Sequence, residues 1–252
     1  NQESRIDHII DHVNTRYGDL MDWCSLERIV RECNPTHIFN LGAMSHVRVS
    51  SDVPSFTIKT NAEGVLNLLE VYKNYCPSAR FYQASSSEMF GNSVDEDGFQ
   101  RETTPMTPVS PYGCSKLMGY SLVRHYRHAY GLHASNGILF NHESPRRGSN
   151  FVTNKVVKTA VQISLGMTDK LFLGNMDSYR DWGHSKDYTR AMIDIINHDR
   201  MFYLTNEMLN KLDRNTMLNS IEGRSPFTSP YIKDVIMKYR FNELLKGNKL
   251  KF

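Results

Sequence analysis

The stretch THIFNLGA, Thr36–Ala43, decides the fold. It is a short apolar run closed by small residues, the pattern of a buried strand and the loop after it. Downstream, Pro54 precedes SFTIKTNAEGVLNLLEVYKNY, in which Val65, Leu68, Leu69 and Tyr72 recur at helical spacing. ARFYQASSSE (Ala79–Glu88) reads as a second strand running into a polar loop. A long helix is expected from about Tyr112 to Tyr130, with Met118, Leu122, Tyr126 and Ala129 as its apolar stripe, and HASNGILF (His133–Phe140) is a third strand. Strand and helix patterns thus alternate from Thr36 to Phe140, which favours a parallel α/β sheet with helices on both faces. Ligands of such sheets bind outside the carboxyl ends of the strands. The loops LGAMSH, SSSEMFG and NHESPRRG each follow a strand directly, and that coincidence marks them as the place for a site.

Bulk properties narrow the choices. At 252 residues the chain can bury a large core, as one domain or as one domain with a smaller lobe. Apolar residues at 40% and charged residues at 23% are ordinary for a globular protein, and a net charge of +3 is too weak to argue for nucleic acid. The ten histidines are dispersed, with no His/Cys cluster at metal-ligand spacing, so no metal is expected. Cys24, Cys33, Cys76 and Cys114 show no CxxC pair, which suits thiols in a reducing compartment and a cytoplasmic location. There is no apolar run long enough to cross a bilayer, and no membrane partner is expected.

Three places carry residues suited to chemistry. Tyr112 and Lys116 in SPYGCSK lie four residues apart, so phenol and ammonium share one helix face. An unperturbed tyrosine is a poor base at neutral pH, and a neighbouring cation lowers its pKa toward a usable range. YxxxK is common by chance, so on its own the pair reads first as an exposed helix face and only second as a catalytic pair. Ser86 and Glu88 in SSSEMFG offer a hydroxyl and a carboxylate at a strand end, or merely a capped turn. Arg146 and Arg147 in NHESPRRG and Arg180 in YRDWGHSKDY offer fork-shaped donors for a phosphate or diphosphate, or solvated surface charge. No GxGxxG, P-loop, HExxH or GxSxG occurs anywhere.

YGDL (Tyr17–Leu20), FNLGAMSHVRVS, FYQASSSEMFG, ETTPMTPVSPYGCSK, NGILFNHESPRRGSNFVTNK and RDWGHSKDY together resemble the extended short-chain dehydrogenase/reductases, and within them the GDP-mannose 4,6-dehydratase family. The resemblance runs from about Arg5 to Glu207. It implies a Rossmann-like doubly wound parallel sheet, incomplete at the N-terminus, with a small C-terminal substrate lobe. It places an NADP-binding domain over residues 1–150 and a partly interleaved substrate lobe over 151–252. It implies oxidation of GDP-mannose at C4, loss of water across C5 and C6 and return of hydride to C6, with NADP as cofactor. Carried over residue by residue, the catalytic set is Ser86, Glu88, Tyr112 and Lys116. The cofactor set is Asp19, Leu20, Leu41, Gly42, Ala43, Ser45, Phe56, Lys116, His142 and Arg147. Asn141 and Arg180 fall on substrate-binding positions. A homo-oligomer, dimer or tetramer, is also implied.

The chain departs from the family in places. Ser86 stands where threonine is common, Met44 where glutamine is usual, Phe56 where tyrosine is usual and Asn154 where arginine is usual. The family's first strand, its glycine-rich turn and the arginines that favour a 2′-phosphate fall before Asn1. Residues 208–252 match no family segment; there a turn around GRSPFTSP (Gly223–Pro230) and an amphipathic helix in SPYIKDVIMKYRFNELLKG are expected. Two other readings stand beside the dehydratase. One is a related epimerase or dTDP-glucose dehydratase, against which Glu88 and the absence of an aspartate just before it argue. The other is a non-catalytic copy acting only as an oligomer partner.

Overall fold

A computed structural model describes residues 6–149, 151–174 and 180–202. The turn at Gly223–Pro230 and the helix expected after it lie outside the described residues. Contacts divide the chain into Asn1–Asn197 and His198–Phe252, and the site lies wholly in the first.

The core is a parallel sheet of β1 (His37–Asn40), β2 (Arg80–Ser86) and β3 (Ala134–Leu139), in the order β1-β2-β3. Its register pairs Asn40 with Gln83 and Ser86 with Leu139. Central β2 is buried from Phe81 to Ser86, as a strand covered on both faces must be. Its alternating side chains feed two apolar layers. Phe81 packs with Leu26 and Val30 of α1 (Trp23–Cys33), with Val65, Leu69 and Tyr72 of α4 (Gly64–Tyr75), and with Val123 and Tyr126 of α5 (Pro111–Tyr130). Tyr82 and Ala84 face the other way, onto Met192 and Ile196 of α7 (Ser185–Phe202). Helices therefore cover both faces, as the alternation implied. Tyr72 makes the junction tight: its ring stacks on Phe81 at 5.4 Å and its hydroxyl donates to the carbonyls of Ala79 and His133.

The stripe expected on α5 is corrected. Met118 and Ala129 are exposed, and the buried face runs through Tyr112, Ser115, Lys116, Gly119, Val123 and Tyr126. Hydropathy misplaces the stripe because the buried face is largely polar near the helix start, where it meets the site instead of the core. The helix itself is sharply bounded. Ser110 Oγ accepts from the Gly113 amide at 3.0 Å, Pro111 occupies the first turn, and Gly131 ends the helix at φ 65°.

Two short helices, α2 (Val47–Asp52) and α3 (Pro54–Ile58), follow the β1 loop. Between α3 and α4 the backbone widens into one π turn, Lys59–Glu63. Such turns re-aim side chains and cluster at functional sites. Here it buries Asn61, whose Oδ1 accepts from the Met44 amide at 2.8 Å while Nδ2 donates to Met44 O at 3.0 Å and to Ser115 Oγ at 3.1 Å. The loop after β1 is thereby tied to helix α5. Among the described residues no helix is long and apolar enough to cross a membrane.

Replacing Asn61 by Leu keeps the bulk but removes the partner of the half-buried Met44 amide and carbonyl and of the buried Ser115 hydroxyl. Each such group costs about 1–3 kcal/mol, so Asn61→Leu is expected to lose about 2–4 kcal/mol in urea unfolding. A loss under about 0.5 kcal/mol would show that the bridge is not structural.

Candidate functional site

The three strand-end loops meet at the carboxyl edge of the sheet around a cleft of about 480 Å³. Leu41, Ala43 and Ser45 line it from the β1 loop, and Ser85, Ser86 and Glu88 from the end of β2. Tyr112 and Lys116 line it from the first turns of α5, and Asn141, His142 and Arg147 from the loop after β3. Arg180 stands exposed at its edge.

Local structure explains each placement. The start of α5 is anchored from outside: the Tyr112 amide donates to Ser50 Oγ at 3.2 Å, and Ser50 is wholly buried in α2. Asn40 at the end of β1 bonds Gln83 at 2.9 Å and receives the Gly42 amide at 3.2 Å, so the loop leaves the strand in one direction. Ser86 Oγ accepts from the Glu88 amide at 3.2 Å, capping the single 3₁₀ turn Ser87–Met89 that carries Glu88. Gly113 is required where it is. A Cβ there would come within 2.6 Å of the Glu88 carbonyl oxygen and 3.0 Å of Pro108, so glycine lets helix and Glu88 turn touch.

Two short strands invisible to hydropathy complete the far wall. β4 (Asn141–Glu143) pairs in parallel with β5 (Trp182–His184), in the register Asn141↔Trp182 and Glu143↔His184. The Asn141 amide also donates to Asp181 O at 3.2 Å, which brings Arg180 to the Asn141 end of the cleft. His142 packs its ring 4.7 Å from Tyr188, and its Nδ1 lies 2.9 Å from Phe140 O. A carbonyl partner puts the proton on Nδ1 and turns Nε2 outward.

Charge balance in the cleft differs from expectation at one point. Burial, the largest influence, pushes the Tyr112 phenol above its ordinary value, and the charge of Glu88 adds to the rise. A hydrogen bond with Ser86 and the charge of Arg147 pull the other way. The expected lowering by Lys116 is not seen. The Lys116 ammonium lies 5.7 Å from the Tyr112 ring centroid and gives its hydrogen bond to Ala84 O at 3.0 Å. Lys116 itself is buried, and desolvation pulls it down to about 8.

Not every expected residue reaches the cleft. Asp19 is exposed and accepts from the Met21 amide at 2.8 Å, as in a simple turn. Leu20 packs instead on Gly42 and Gly64, where a Cβ at either glycine would press its side chain. Gly42 is exposed and is not among the lining residues, and Phe56 is 59% exposed on α3. Conversely, His46, Val47, Phe140, Phe151 and Met192 line the cleft and were missed. His46 and Phe151 lay within quoted segments, but nothing in residue type or spacing marked them.

The family model for GDP-mannose 4,6 dehydratase matches residues 1–220. The chain belongs to that family. It is 48% identical over 206 residues to the GDP-mannose 4,6-dehydratase of Yersinia enterocolitica, covering 78% of this chain and 55% of the relative. It is 47% identical over 194 residues to the human GDP-mannose 4,6 dehydratase, covering 76% and 52%. The chain thus spans about half the length of the curated relatives it matches. Among solved structures, the fold matches RMD from Pseudomonas aeruginosa complexed with NADPH at TM-score 0.69 and 24% identity, over 78% of this chain and 70% of that one. It also matches dTDP-glucose 4,6-dehydratase from Bacillus anthracis in complex with NAD at TM-score 0.65 and 26% identity, over 77% and 58%. The parallel α/β sheet read from THIFNLGA and its neighbours, and the Rossmann-like fold that the resemblance implies, agree with the fold of these two solved structures.

Two consequences can be measured. Gly113→Ala forces helix and Glu88 turn apart and is expected to destabilise by about 1–3 kcal/mol in chemical denaturation; wild-type stability would refute the close contact. Lys116 gives a pH signature. Below about pH 8 folded and unfolded chains both hold its proton, and the folded chain bears the full desolvation cost. Between about 8 and 10.5 the unfolded chain binds more of that proton, so this residue's contribution to stability rises with pH. Lys116→Met should therefore be more stable than wild type at neutral pH, by on the order of 2–3 kcal/mol, with the gap narrowing from about pH 8 and closing only above pH 10.5. A gap independent of pH would mean the ammonium is solvated.

Proposed function

We propose that this chain performs the reaction of a GDP-mannose 4,6-dehydratase, turning GDP-mannose into GDP-4-keto-6-deoxymannose with NADP as cofactor. The observation that carries the reading is the convergence on one cleft of a buried Tyr112–Ser86 pair, the Glu88 carboxylate and the cationic donors Lys116, Arg147 and Arg180. The donor set fits an anionic dinucleotide. Lys116 is a buried ammonium with one bond to the protein, and the buried Arg147 Nε has no aligned hydrogen bond among the described residues. Ser45, Lys116, His142 and Arg147 would hold NADP, and Asn141 and Arg180 would hold the GDP-sugar. When bound, NADP supplies acceptance of the C4 hydride and its return to C6.

The chain's residues do the proton work. Tyr112 takes the C4 hydroxyl proton, with Ser86 hydrogen-bonded to the phenol and orienting it. Lys116 serves the cofactor and not the phenol, since its hydrogen bond goes to Ala84 O at 3.0 Å and the shift of Tyr112 owes nothing to it. Glu88 removes the C5 proton, made acidic by the new C4 ketone, and the C6 hydroxyl leaves with a proton as water. Of the two protons taken, from the C4 hydroxyl and from C5, one thus departs in the water and the other is returned to C5, and the cofactor ends as it began. The same reading carries a homo-oligomer, dimer or tetramer, and a cytoplasmic location.

The test uses the chain with GDP-mannose and NADP, following product mass for the loss of water. Tyr112→Phe is expected to lower the rate about 10²–10⁴-fold, blocking every step. Glu88→Gln is expected to lose product to a similar degree while C4 oxidation persists, seen as NADPH absorbance that builds up without dehydrated sugar. Product formation by Glu88→Gln at the wild-type rate would overturn the assignment.

A further inference from the structure

We propose that Glu143 is a positioning residue that holds the Arg147 guanidinium at the cleft for an anionic phosphate of the bound nucleotide. The proposal rests on the dehydratase reading of the site, and neither the motifs nor the strand pattern pointed to Glu143.

Glu143 closes β4, where its carbonyl accepts from Ser185 Oγ at 3.1 Å, and its register partner is His184 on β5. Its backbone is therefore fixed by the same clip that joins the far wall of the cleft. Its carboxylate is fixed as well: Thr153 Oγ1, in the first turn of α6 (Val152–Ser164), donates to Oε2. Arg147 Nε lies 3.2 Å from that same oxygen. The two side chains are only 18% and 26% exposed, so the pair is screened less than a surface ion pair. The contact is one of charge, since Nε lacks hydrogen-bond alignment there. It constrains where the guanidinium sits while leaving its terminal nitrogens for another acceptor.

Three further contacts hold the arginine. Its guanidinium carbon lies 3.6 Å from the centroid of the Phe151 ring, a close cation–π stack. Its amide donates to Ser144 O at 3.0 Å, and its carbonyl accepts from Asn154 Nδ2. Phe151 in turn lies 5.9 Å from the His46 ring, on the opposite lip of the cleft. A guanidinium pinned by a ring face and a fixed carboxylate loses little rotamer freedom when it binds an anion, and pre-organisation of that kind favours binding. A carboxylate beside an anion site also repels the ligand, so Glu143 is worth having only if the orienting effect is the larger. That opposition makes the sign of the mutational effect decisive.

Glu143→Gln keeps the shape and an acceptor for Thr153 while removing the charge that holds Arg147. NADPH affinity, read by the cofactor's fluorescence, is expected to weaken roughly five- to tenfold in Glu143→Gln. Arg147→Met is expected to weaken it more, and adding Glu143→Gln to Arg147→Met should then change nothing further. Unchanged or tighter binding by Glu143→Gln in a wild-type background overturns the proposal, because electrostatic relief would then outweigh orientation. So does a Glu143→Gln loss that persists undiminished beside Arg147→Met, which would show that Glu143 acts through the β4–α6 packing alone. A wild-type chain that binds neither NADPH nor GDP-mannose overturns the reading of the site together with this one. A wild-type chain that binds while Glu143→Gln is neutral overturns only the role of Glu143.

Discussion

One buried carboxamide joins the parts that must stay in register. Asn61 satisfies both backbone groups of Met44 and reaches Ser115, whose hydroxyl donates to Tyr112 O at 2.7 Å. The loop after β1, the π turn and the first turn of α5 are thus parts of one hydrogen-bonded network, buried at Asn61 and Ser115 and half-buried at Met44. At its buried end every member must be paired, because an unpaired polar group costs more there than at the surface. The cleft inherits its rigidity from that requirement, and the floor under Tyr112 and Lys116 cannot shift without breaking it.

The layers of the molecule are a second constraint on the site. Central β2 is covered on both faces, so its carboxyl end is the one place where its side chains can meet a ligand. Ser85 and Ser86 stand there, and the Glu88 turn follows at once. Burial that makes the strand stable is also what raises the Tyr112 phenol and lowers the Lys116 ammonium. Stability and the shifted acidities of Tyr112 and Lys116 therefore draw on the same desolvation, with opposite sign for the two groups.

Much of the fold was legible because it depends on local pattern. The strands at His37–Asn40, Arg80–Ser86 and Ala134–Leu139 all fall inside runs that hydropathy marks, and α5 (Pro111–Tyr130) begins one residue before the expected Tyr112. The site was legible where a motif fixes spacing, as with Tyr112 and Lys116, or where a loop follows a strand, as with Glu88 and Arg147. What escaped depends on long-range pairing. β4 and β5 are three residues each, too short to show a period, and only their mutual register gives them meaning. The polar buried face of α5 escaped for the same reason: Ser115 and Lys116 are inside because of Asn61 and Ala84, which lie far away in sequence. Asp19, Leu20 and Phe56 came from resemblance alone, and here the first is a turn residue, the second a packing residue and the third a surface ring.

The β4–β5 clip has a consequence for how this scaffold can change. Both of its strands are held at fixed register, while the chain that leaves one and returns as the other passes through α6 at the surface, where none of its residues is buried. Changes confined to the outer turns of α6, past Asn154, would leave Asn141 and the Arg180 end facing each other and would spare Arg147, Phe151 and Thr153. That outer stretch is in effect a cassette, which can be redrawn over generations without renegotiating the Tyr112 wall of the cleft.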